Sequence, residues 1–474
     1  MVLQLLILVS RHGERERLSK HHTSLAEASD PALTQTGLTT IKSVGNLLRA
    51  RYLDPNTCGS NCLNGTLGNG GFAAHEVRAE SSGFARTLGT AEVLLSSLFP
   101  VDRRGSLSLP LPIFSHTPEA DARLRGYYRC PVLGAALEAW RVTPAYLEKV
   151  TETAALRKAL AKALPLHEDV KLDADGAVPL HQVWNAFDAI TTSASASELE
   201  PELLANVAAL AAWLEAHKFG RAGGGAHACG GALLGEIVRR ISAVSEAQEA
   251  GQERLVYYSA HYPTMLCLLS ALGVSADAQD VDDASRVWLS STLLALSSVI
   301  ALEVHATSSG SAPSVLKLKY LDPKLAATEP LDTAALRPLP LPRCSSSLWE
   351  CAIPEDLQRL TDGGKATLPA SLDDWHAACG RNVSTLDATP IAPVGVAQDA
   401  CSMIPTPIEW TTLSLLVALW LAIIAWCAKR SLGSSPGHPQ ARVTRVPFST
   451  ASSTSSTPAV TKAPEFSSSV VVMD

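Results

Sequence analysis

The sequence predicts an α/β fold, in which helices flank a sheet core, a mostly helical insertion interrupts that core, and one transmembrane helix lies near the C-terminus. Three observations lead to this prediction. Short apolar runs alternate with helical patterns over about 1–104 and 226–330, Ala- and Leu-rich helical patterns fill about 105–225, and residues 410–428 carry no charged side chain. Alternating strands and helices are typical of a sheet covered by helices.

The N-terminal part of the core begins with an apolar run at 3–9, which is too short for an ordinary helix and is bounded by polar residues. This pattern predicts a buried central strand of a parallel sheet. Thr34 stands as the N-cap of a helix through Arg51. Residues 58–71, rich in Gly, Asn and Cys, indicate a surface loop. A short strand end at 75–78 and a helix at 83–98 follow.

The insertion contains helical stretches at 154–164 and 205–217 without convincing strands. The core then resumes with a helix at 230–243, a strand at 254–259 and a helix at 265–272. Alternating runs at 298–305 and 314–320 predict a closing hairpin. We therefore predict one folded ectodomain over 1–385, a Pro-rich stalk at 386–409 and a disordered tail at 429–474.

The uncharged segment 410–428 matches the roughly 20 residues that a helix needs to cross a bilayer. Lys429 and Arg430 follow it directly, and the tail carries more basic than acidic residues. The positive-inside rule therefore predicts a single-pass type I membrane protein, with residues 1–409 lumenal or extracellular. A buried core helix is the alternative. Residues 1–10 lack the basic start of a signal peptide, so we expect the true leader to be missing from the chain as given.

Most cysteines precede the predicted span in loop-like contexts, which is typical of disulfides outside the cytosol. They are Cys58, Cys62, Cys130, Cys229, Cys344, Cys351, Cys379 and Cys401. Cys267 lies in an apolar helical run and is predicted to be a buried thiol, whereas Cys427 falls at the cytosolic membrane edge. Glycosylation sequons at Asn64 and Asn382 lie on the lumenal side. A zinc site at Cys58 lacks a second pair of ligands.

The charge balance argues against nucleic acid as a partner. The chain has 46 acidic and 39 basic residues, a formal net charge of −7 and no long Lys/Arg run. Nucleic-acid-binding domains carry a basic patch or stripe instead. A phosphate group on a small substrate remains compatible with this composition, because a few converging arginines suffice to bind it.

Three polar clusters each follow a predicted strand: the run RHGER at 11–15, Arg78 and His261. The C-terminal ends of strands in open α/β sheets form the ligand crevice, so these clusters can converge. A histidine between arginines can attack phosphorus while the guanidinium groups hold the phosphoryl oxygens. His12 stays deprotonated if its other ring nitrogen finds an acceptor, typically a backbone carbonyl.

These motifs resemble those of the histidine acid phosphatases, branch 2 of the histidine phosphatase superfamily, and membrane-bound lysosomal-type members are the nearest likeness. The family signature RHGxRxP is matched by Arg11, His12, Gly13 and Arg15, while Arg17 stands where proline is usual. The likeness continues through LTQTG at 33–37 and the segments 77–100, 230–234 and 257–273, and it covers about residues 1–380.

The resemblance implies a phosphoglycerate-mutase-like core and an acid phosphatase that hydrolyses phosphate monoesters through a phosphohistidine at His12. It implies phosphate binding without a metal or other cofactor, by Arg11, Arg15, Arg78 and His261. It also implies a Cys130–Cys351 disulfide. The protein is then expected in endosomes or lysosomes or at the cell surface, and a homodimer is left open.

One position departs from the family pattern. Tyr262 stands where the family has the aspartate that protonates the leaving alcohol. A positioned general acid contributes roughly 10²–10⁴-fold, and a tyrosine with a reference pKa of about 10 is a poor donor in acid. A carboxyl at Glu14, Glu16 or Glu80 is the alternative donor.

The competing prediction is therefore a weakly active or inactive relative. It would bind phosphorylated ligands or serve as a glycoprotein of the endocytic pathway. Inositol-polyphosphate phosphatase activity is a lesser alternative within the enzyme class. The helical insertion determines the choice of substrate, and the motifs give no information about that region.

Overall fold

A computed structural model describes the chain from residue 1 to 380 with gaps. The described ranges are 1–16, 30–69, 71–100, 111–118, 120–128, 130–163, 172–192, 200–220, 229–246, 253–274, 294–306, 314–326, 336–345, 347–361 and 372–380. They belong to one compact unit, Met1–Thr389. The second unit, Pro390–Asp474, lies outside the described residues, as do the predicted membrane span, Arg17, Asn382, Cys401 and Cys427. Within the described ranges, no helix is both long and apolar enough to cross a bilayer.

The strands of the described chain form one mixed sheet. They are β1 (Val2–Arg11), β2 (Val77–Ser82), β3 (Ile113–His116), β4 (Leu255–Ala260), β5 (Val299–Ala306), β6 (Ser314–Leu321), β7 (Leu336–Leu339) and β8 (Cys351–Ile353). Their spatial order is β3-β2-β4-β1-β5-β6-β7, and β8 pairs with β6. The predicted N-terminal strand and the predicted hairpin β5–β6 are confirmed.

The helices lie on both faces of the sheet and in the region between β3 and β4. They are α1 (Gln35–Tyr52), α2 (Ala85–Leu98), α3 (Pro131–Arg141), α4 (Pro144–Glu152), α5 (Ala154–Ala163), α6 (Val183–Thr191), α7 (Pro201–Lys218), α8 (Gly231–Glu246), α9 (Tyr262–Ala271), α10 (Pro323–Ala326), α11 (Leu357–Thr361) and α12 (Leu372–Ala378). The chain is therefore a mixed α/β protein with a central sheet.

β1 is central and buried on both faces, as its apolar sequence predicts. Ile7 and Val9 share a hydrophobic cluster with residues of α8 and α9. Leu6 and Leu8 share a second cluster with residues of α1 and α2. Since a fully buried aliphatic side chain contributes about 1.5–3 kcal/mol, the two clusters hold β1 rigidly in place. The position of the residues that directly follow β1, beginning with His12, is therefore well defined.

The parallel strands bring their C-terminal ends to one edge of the sheet. β4 pairs in parallel with β1, where Arg11 faces Ala260, and with β2, where Ser81 faces Ser259. β5 pairs with β1 in the antiparallel sense, so the sheet is mixed rather than parallel throughout. The residues that directly follow β1, β2 and β4 are neighbours as a result.

The turn after β1 is fixed by contacts with α1 and α2. The Thr34 side chain accepts a hydrogen bond from the Gly37 N–H at 3.0 Å, which confirms the predicted N-cap. A Cβ atom at Gly37 would lie 2.2 Å from the Glu14 carbonyl oxygen, so only glycine allows this approach. On the other side, the Gly13 N–H donates to Thr90 Oγ1 at 3.0 Å.

β2 differs from the prediction in its position. A 3₁₀ turn covers Ala74–Glu76, and the strand starts at Val77 and continues to Ser82 instead of ending at 78. The polar residues Glu80, Ser81 and Ser82 conceal this strand in the sequence, although all three are buried. The C-terminal edge of the sheet therefore lies beside Ser82, not beside Arg78.

The region between β3 and β4 is helical from α3 to α7 in its described residues and has its own apolar cluster, which includes Trp140, Leu160, Val183 and Leu210. β3, however, lies within the range 105–225 that showed no convincing strand. The sheet also extends past residue 330 through β7 and β8.

The disulfides differ from the expected pairing. The described cysteines form Cys58–Cys62, Cys130–Cys379, Cys229–Cys267 and Cys344–Cys351. The Cys130–Cys351 prediction is wrong. Cys379, directly after α12, bonds to Cys130 at the start of α3, and Cys351 bonds to Cys344, seven residues before it. Cys267 is buried, as predicted, but it is not a thiol. A Cβ at Gly230 would lie 2.1 Å from the Cys267 carbonyl oxygen, and this close approach brings Cys229 within bonding distance.

Candidate active site

Two histidines meet at the C-terminal edge of the sheet. His12 follows β1, and its backbone N–H donates to the Ala260 carbonyl at 3.0 Å. His261 follows β4 and caps α9. Their ring centroids are 5.5 Å apart, and both residues are buried, with 4% and 5% of their surface exposed.

The hydrogen bond of His12 defines its chemistry. Its Nδ1 lies 2.9 Å from the carbonyl oxygen of Gly13, so Nδ1 carries the proton and Nε2 keeps its lone pair. Burial lowers the pKa of His12 well below its ordinary value, and the positive charges of Arg86 and Arg11 lower it further. The backbone carbonyl anticipated from the sequence is thus present, and both this hydrogen bond and the lowered pKa favour the neutral form of His12.

Arg11 lies beside His12 in the same edge. Its Nη1 donates to the Leu294 carbonyl at 2.5 Å, and its guanidinium carbon lies 5.7 Å from the Trp184 ring centroid and 5.2 Å from that of Tyr262. Burial lowers the pKa of Arg11 to about 10, so the side chain remains a cation at any physiological pH.

Arg15 connects the edge to the helical region. Its Nη2 donates to both carboxylate oxygens of Asp188 on α6, at 3.0 and 2.9 Å. Both side chains are almost fully buried. A buried ion pair of this kind holds its partners in one geometry, because separating them would leave an uncompensated charge.

Arg86 is the cluster member that the sequence analysis missed. It lies in the first turn of α2, is 7% exposed, and donates from Nη1 to Asp30 Oδ1 at 2.8 Å. After burial, its charge is the largest influence that lowers the pKa of His12 and that of His261. If the sequence had placed the end of β2 at Ser82, Arg86 would have been a candidate, because α2 begins at Ala85.

Arg78, expected in this cluster, is not there. It is the second residue of β2, pairs with Val256 in the sheet, and its Nη2 donates to Glu80 at 3.1 Å. Its guanidinium lies 3.5 Å from the Phe114 ring centroid. At about 3.3 Å per residue, four residues of strand separate it from Ser82 by roughly 13 Å. The structure thus assigns to Arg86 the location that we predicted for Arg78.

His261 is held by neighbours from β2 and α2. Its Nε2 lies 2.8 Å from Ser82 Oγ, and the Phe84 ring packs edge-on against it with a centroid distance of 5.4 Å. Phe84 also contacts the guanidinium groups of Arg86 and Arg125, at 4.3 and 4.8 Å from its centroid. Burial, and then Arg86, lowers the pKa of His261 well below its ordinary value.

Tyr262 points its hydroxyl into the helical region. The hydroxyl donates to Glu215 Oε2 on α7 at 2.7 Å, and the ring lies 4.4 Å from that of Trp184. Burial and the Glu215 carboxylate raise the pKa of Tyr262 well above its ordinary value. The proton of this hydroxyl is therefore tightly held and is already donated to a carboxylate.

The three alternative carboxyls lie in different places. Glu80 is bound by Arg78 and Arg123, at 3.1 and 2.6 Å. Glu16 is exposed. Glu14 accepts a hydrogen bond from Thr34 Oγ1 at 2.8 Å and lines a cavity with Arg11. Only Glu14 among the three is placed beside the cluster.

That cavity has a volume of about 480 Å³, which is within the usual range for small-molecule sites. Its charged lining residues are Arg11, Glu14, Asp188 and Lys324, and Trp184 and Phe187 form an aromatic wall. Arg11 is the member of the histidine and arginine cluster that lines it, and the cavity reaches His12 through Ser297, whose N–H donates to the His12 carbonyl. In the described part of the chain, no group of His, Cys, Asp and Glu side chains is arranged to hold a metal ion. The edge combines a buried imidazole with buried cations, an arrangement that suits an anionic phosphoryl group.

Fold and site together define an α/β protein with two buried histidines and several buried arginines at the C-terminal edge of its sheet. The chain belongs to the histidine phosphatase superfamily (branch 2), whose family model matches residues 19–320. The matched range contains Arg86 and His261 and begins after His12.

The chain is similar to proteins named as acid phosphatases. The chain is 28% identical to human testicular acid phosphatase over 297 residues, which are 56% of this chain and 62% of that protein. It is 26% identical to bovine lysosomal acid phosphatase over 292 residues, which are 57% of this chain and 63% of that protein. The alignment thus spans about three-fifths of the length of these relatives.

Solved structures show the same fold at low identity. The Hafnia alvei phytase in its apo form superposes with a TM-score of 0.55 at 14% identity, covering 79% of this chain and 98% of the phytase. The Citrobacter braakii phytase gives 0.53 at 12% identity and covers 79% and 99% of the two chains. At such identities the likeness concerns the fold alone.

Proposed function

We propose that this protein is an acid phosphatase that hydrolyses phosphate monoesters through a phosphohistidine formed at His12. The observation that carries the proposal is the hydrogen bond from His12 Nδ1 to the Gly13 carbonyl, at 2.9 Å, within a buried cluster of arginines. It presents Nε2 as a nucleophile in the protonation state that attack on phosphorus requires.

In this mechanism, Arg11, Arg15 and Arg86 hold the phosphoryl oxygens and stabilise the charge that develops on them. Nε2 of His12 attacks phosphorus, the P–O bond to the leaving group breaks, and the departing oxygen takes a proton from water or from a nearby carboxyl group such as Glu14. Water then attacks the phosphohistidine, and inorganic phosphate leaves. We assign His261 as a hydrogen-bond donor to the phosphoryl group, because its ring centroid lies 5.5 Å from that of His12.

The pH profile tests this assignment. Because the pKa of His12 is lowered, its unprotonated form persists as pH falls, and hydrolysis of an aryl phosphate should continue well below the ordinary histidine pKa. We expect kcat/KM, measured on the purified full chain from about pH 4 to 8 and corrected for the second ionisation of the substrate phosphate at about pH 6, to show no separate acid limb at the ordinary histidine pKa. An acid limb near the ordinary histidine pKa, or no hydrolysis at any pH, would contradict the proposal.

Phe84 is expected to position two of the guanidinium groups. Phe84→Leu removes the ring that contacts Arg86 and Arg125, and a cation–π contact contributes about 0.5–2 kcal/mol, so KM and the inhibition constant of inorganic phosphate should rise about two- to thirtyfold. The kcat value should change less. Phe114→Leu is the matched control, because Phe114 stacks on Arg78 away from the cluster. Equal effects of the two substitutions would refute the positioning role.

A weakly active phosphate-binding relative is the second candidate function, and the bond from Tyr262 to Glu215 is the observation that favours it. If the leaving group receives no proton, it departs more slowly the more basic its oxygen is. The cluster would then bind phosphorylated ligands without rapid turnover.

Tyr262→Asp distinguishes the two candidates. If the missing carboxyl limits turnover, the substitution should raise kcat for alkyl phosphates by about 10²-fold and that for aryl phosphates much less. Tyr262→Phe is the control, since it removes the bond to Glu215 without adding an acid. A flat dependence on leaving-group basicity in the native protein, with no gain in the Asp variant, would indicate another donor, and Glu14 is then our candidate.

We propose further that the protein is a single-pass glycoprotein of the endosomal and lysosomal membrane system or of the cell surface. The uncharged segment 410–428 with its basic flank supports the anchor. The sequon at Asn64 and the disulfides support a lumenal or extracellular ectodomain. The likeness to lysosomal acid phosphatases supports the lysosome.

A further inference from the structure

A second cavity lies in the helical region and shares no described lining residue with the cavity beside His12. Its volume is about 650 Å³, and it lies between the end of α3, α4 and α7. We call it the tryptophan groove, and its defining residues are Trp140, Glu148, Lys149, Glu152, Trp213 and His217. The groove has no role in the proposed mechanism, and the apolar cluster of this region does not fill it.

One wall of the tryptophan groove is aromatic. Trp213 and His217 are four residues apart on α7 and so share a face, and their rings stack with centroids 4.5 Å apart. Trp140 backs them, 6.0 Å from the Trp213 ring. Trp140 is 6% exposed, while Trp213 is only partly buried and contributes indole surface to the groove. This wall can pack against the C–H face of a ligand.

A second wall is polar and comes from one face of α4. Glu148 and Glu152 are four residues apart, and the ammonium of Lys149 pairs with Glu152 at 2.6 Å. The same ammonium lies 5.2 Å from the Trp213 ring centroid. Two carboxylates and one ammonium give this wall a net charge of −1, with hydrogen-bond acceptors and donors side by side.

These charges narrow the class of ligand. An anion such as phosphate would face an excess of carboxylate. An organic cation would compete with Lys149, which already lies near the indole. A neutral polyhydroxylated ring meets neither obstacle, because its C–H face packs on the aromatic wall while its hydroxyls donate to the carboxylates and accept from the ammonium.

We propose that the tryptophan groove binds a neutral sugar ring. The site is separate from the phosphatase site and does not depend on the proposed function. It equips the protein to hold a glycoconjugate while the cavity beside His12 remains available.

Saturation-transfer NMR on the purified full chain tests the proposal, in a detergent without a sugar headgroup. The probes are the methyl glycosides of glucose, galactose, mannose and N-acetylglucosamine, with tetramethylammonium and inorganic phosphate as comparison ligands. We expect saturable transfer to the ring protons of at least one glycoside, and no competition from tetramethylammonium. Absence of transfer to all four glycosides, or displacement by tetramethylammonium, overturns the proposal.

Variants locate the binding. Trp213→Leu and Glu148→Gln should each weaken the glycoside about tenfold, because they remove the indole surface and a charged acceptor. Trp349→Leu is the matched control, since Trp349 is an exposed indole outside the groove, and it should bind as the native chain does. The near-UV circular dichroism spectrum and the thermal midpoint of each variant, compared with those of the native chain, report that it is folded. Native affinity in folded Trp213→Leu would overturn the assignment.

Discussion

Replacing Arg86 with alanine should lower kcat/KM for an aryl phosphate by about 10²–10³-fold, the loss typical of one buried donor to a transition-state oxyanion. The same substitution at Arg78 should change it less than about threefold, because an ion pair away from the chemistry contributes little to the barrier. The reason is location. Arg86 is the dominant charge acting on both histidines, whereas Arg78 pairs with Glu80 and Phe114.

The two arginines form a matched pair, since each is an arginine paired with a carboxylate and stacked on a phenylalanine. The inhibition constant of inorganic phosphate measures binding directly and should rise in Arg86→Ala alone. Arg86→Lys keeps the charge but loses the forked donor geometry, so it should recover only part of the activity. A loss in Arg78→Ala equal to that in Arg86→Ala would show that Arg86 has no special role.

His12→Ala should abolish turnover, with a loss of roughly 10⁴- to 10⁶-fold, as expected when a covalent nucleophile is removed. Brief incubation of the native protein with labelled phosphomonoester, followed by an alkaline quench, should trap a phosphohistidine that is stable in base and labile in acid. The label should be absent from His12→Ala. His75→Ala, an exposed histidine outside the cluster, should label as the native chain does.

The affinity for inorganic phosphate shows whether a loss of turnover in His12→Ala comes from removal of the nucleophile or from damage to the phosphate-binding site. The arginines remain in His12→Ala, so inorganic phosphate should still bind. Label retained in His12→Ala would move the nucleophile elsewhere, and His261 would be the first residue to test.

The sequence predicted much of the fold because the relevant signals are local. A continuous apolar run specified β1, a threonine at the correct offset specified the start of α1, and alternation specified the hairpin β5–β6. Proximity of His12 to His261 also followed from local signals, since each histidine directly follows a strand and parallel strands end at one edge.

β2 shows where local signals end. Its buried polar residues carry no apolar alternation, and their burial is sustained by hydrogen bonds that arrive from other elements, such as the one between Ser82 and His261. The ends of β2 could not be predicted from the sequence, because these partners are distant in the chain. The shift of its boundary by four residues exchanged Arg86 for Arg78 in the predicted site.

The sequence by itself determined the family, the α/β class and the histidine that we propose as nucleophile, because these depend on short motifs and on the periodicity of neighbouring residues. Only the tertiary structure decided which arginine joins His12, which cysteines pair and where the Tyr262 hydroxyl points. Each of these depends on contacts between residues far apart in the chain: Tyr262 reaches Glu215 across 47 residues, and Cys130 reaches Cys379 across 249. Such contacts are set by the packing of whole helices and strands, and no local pattern encodes that packing.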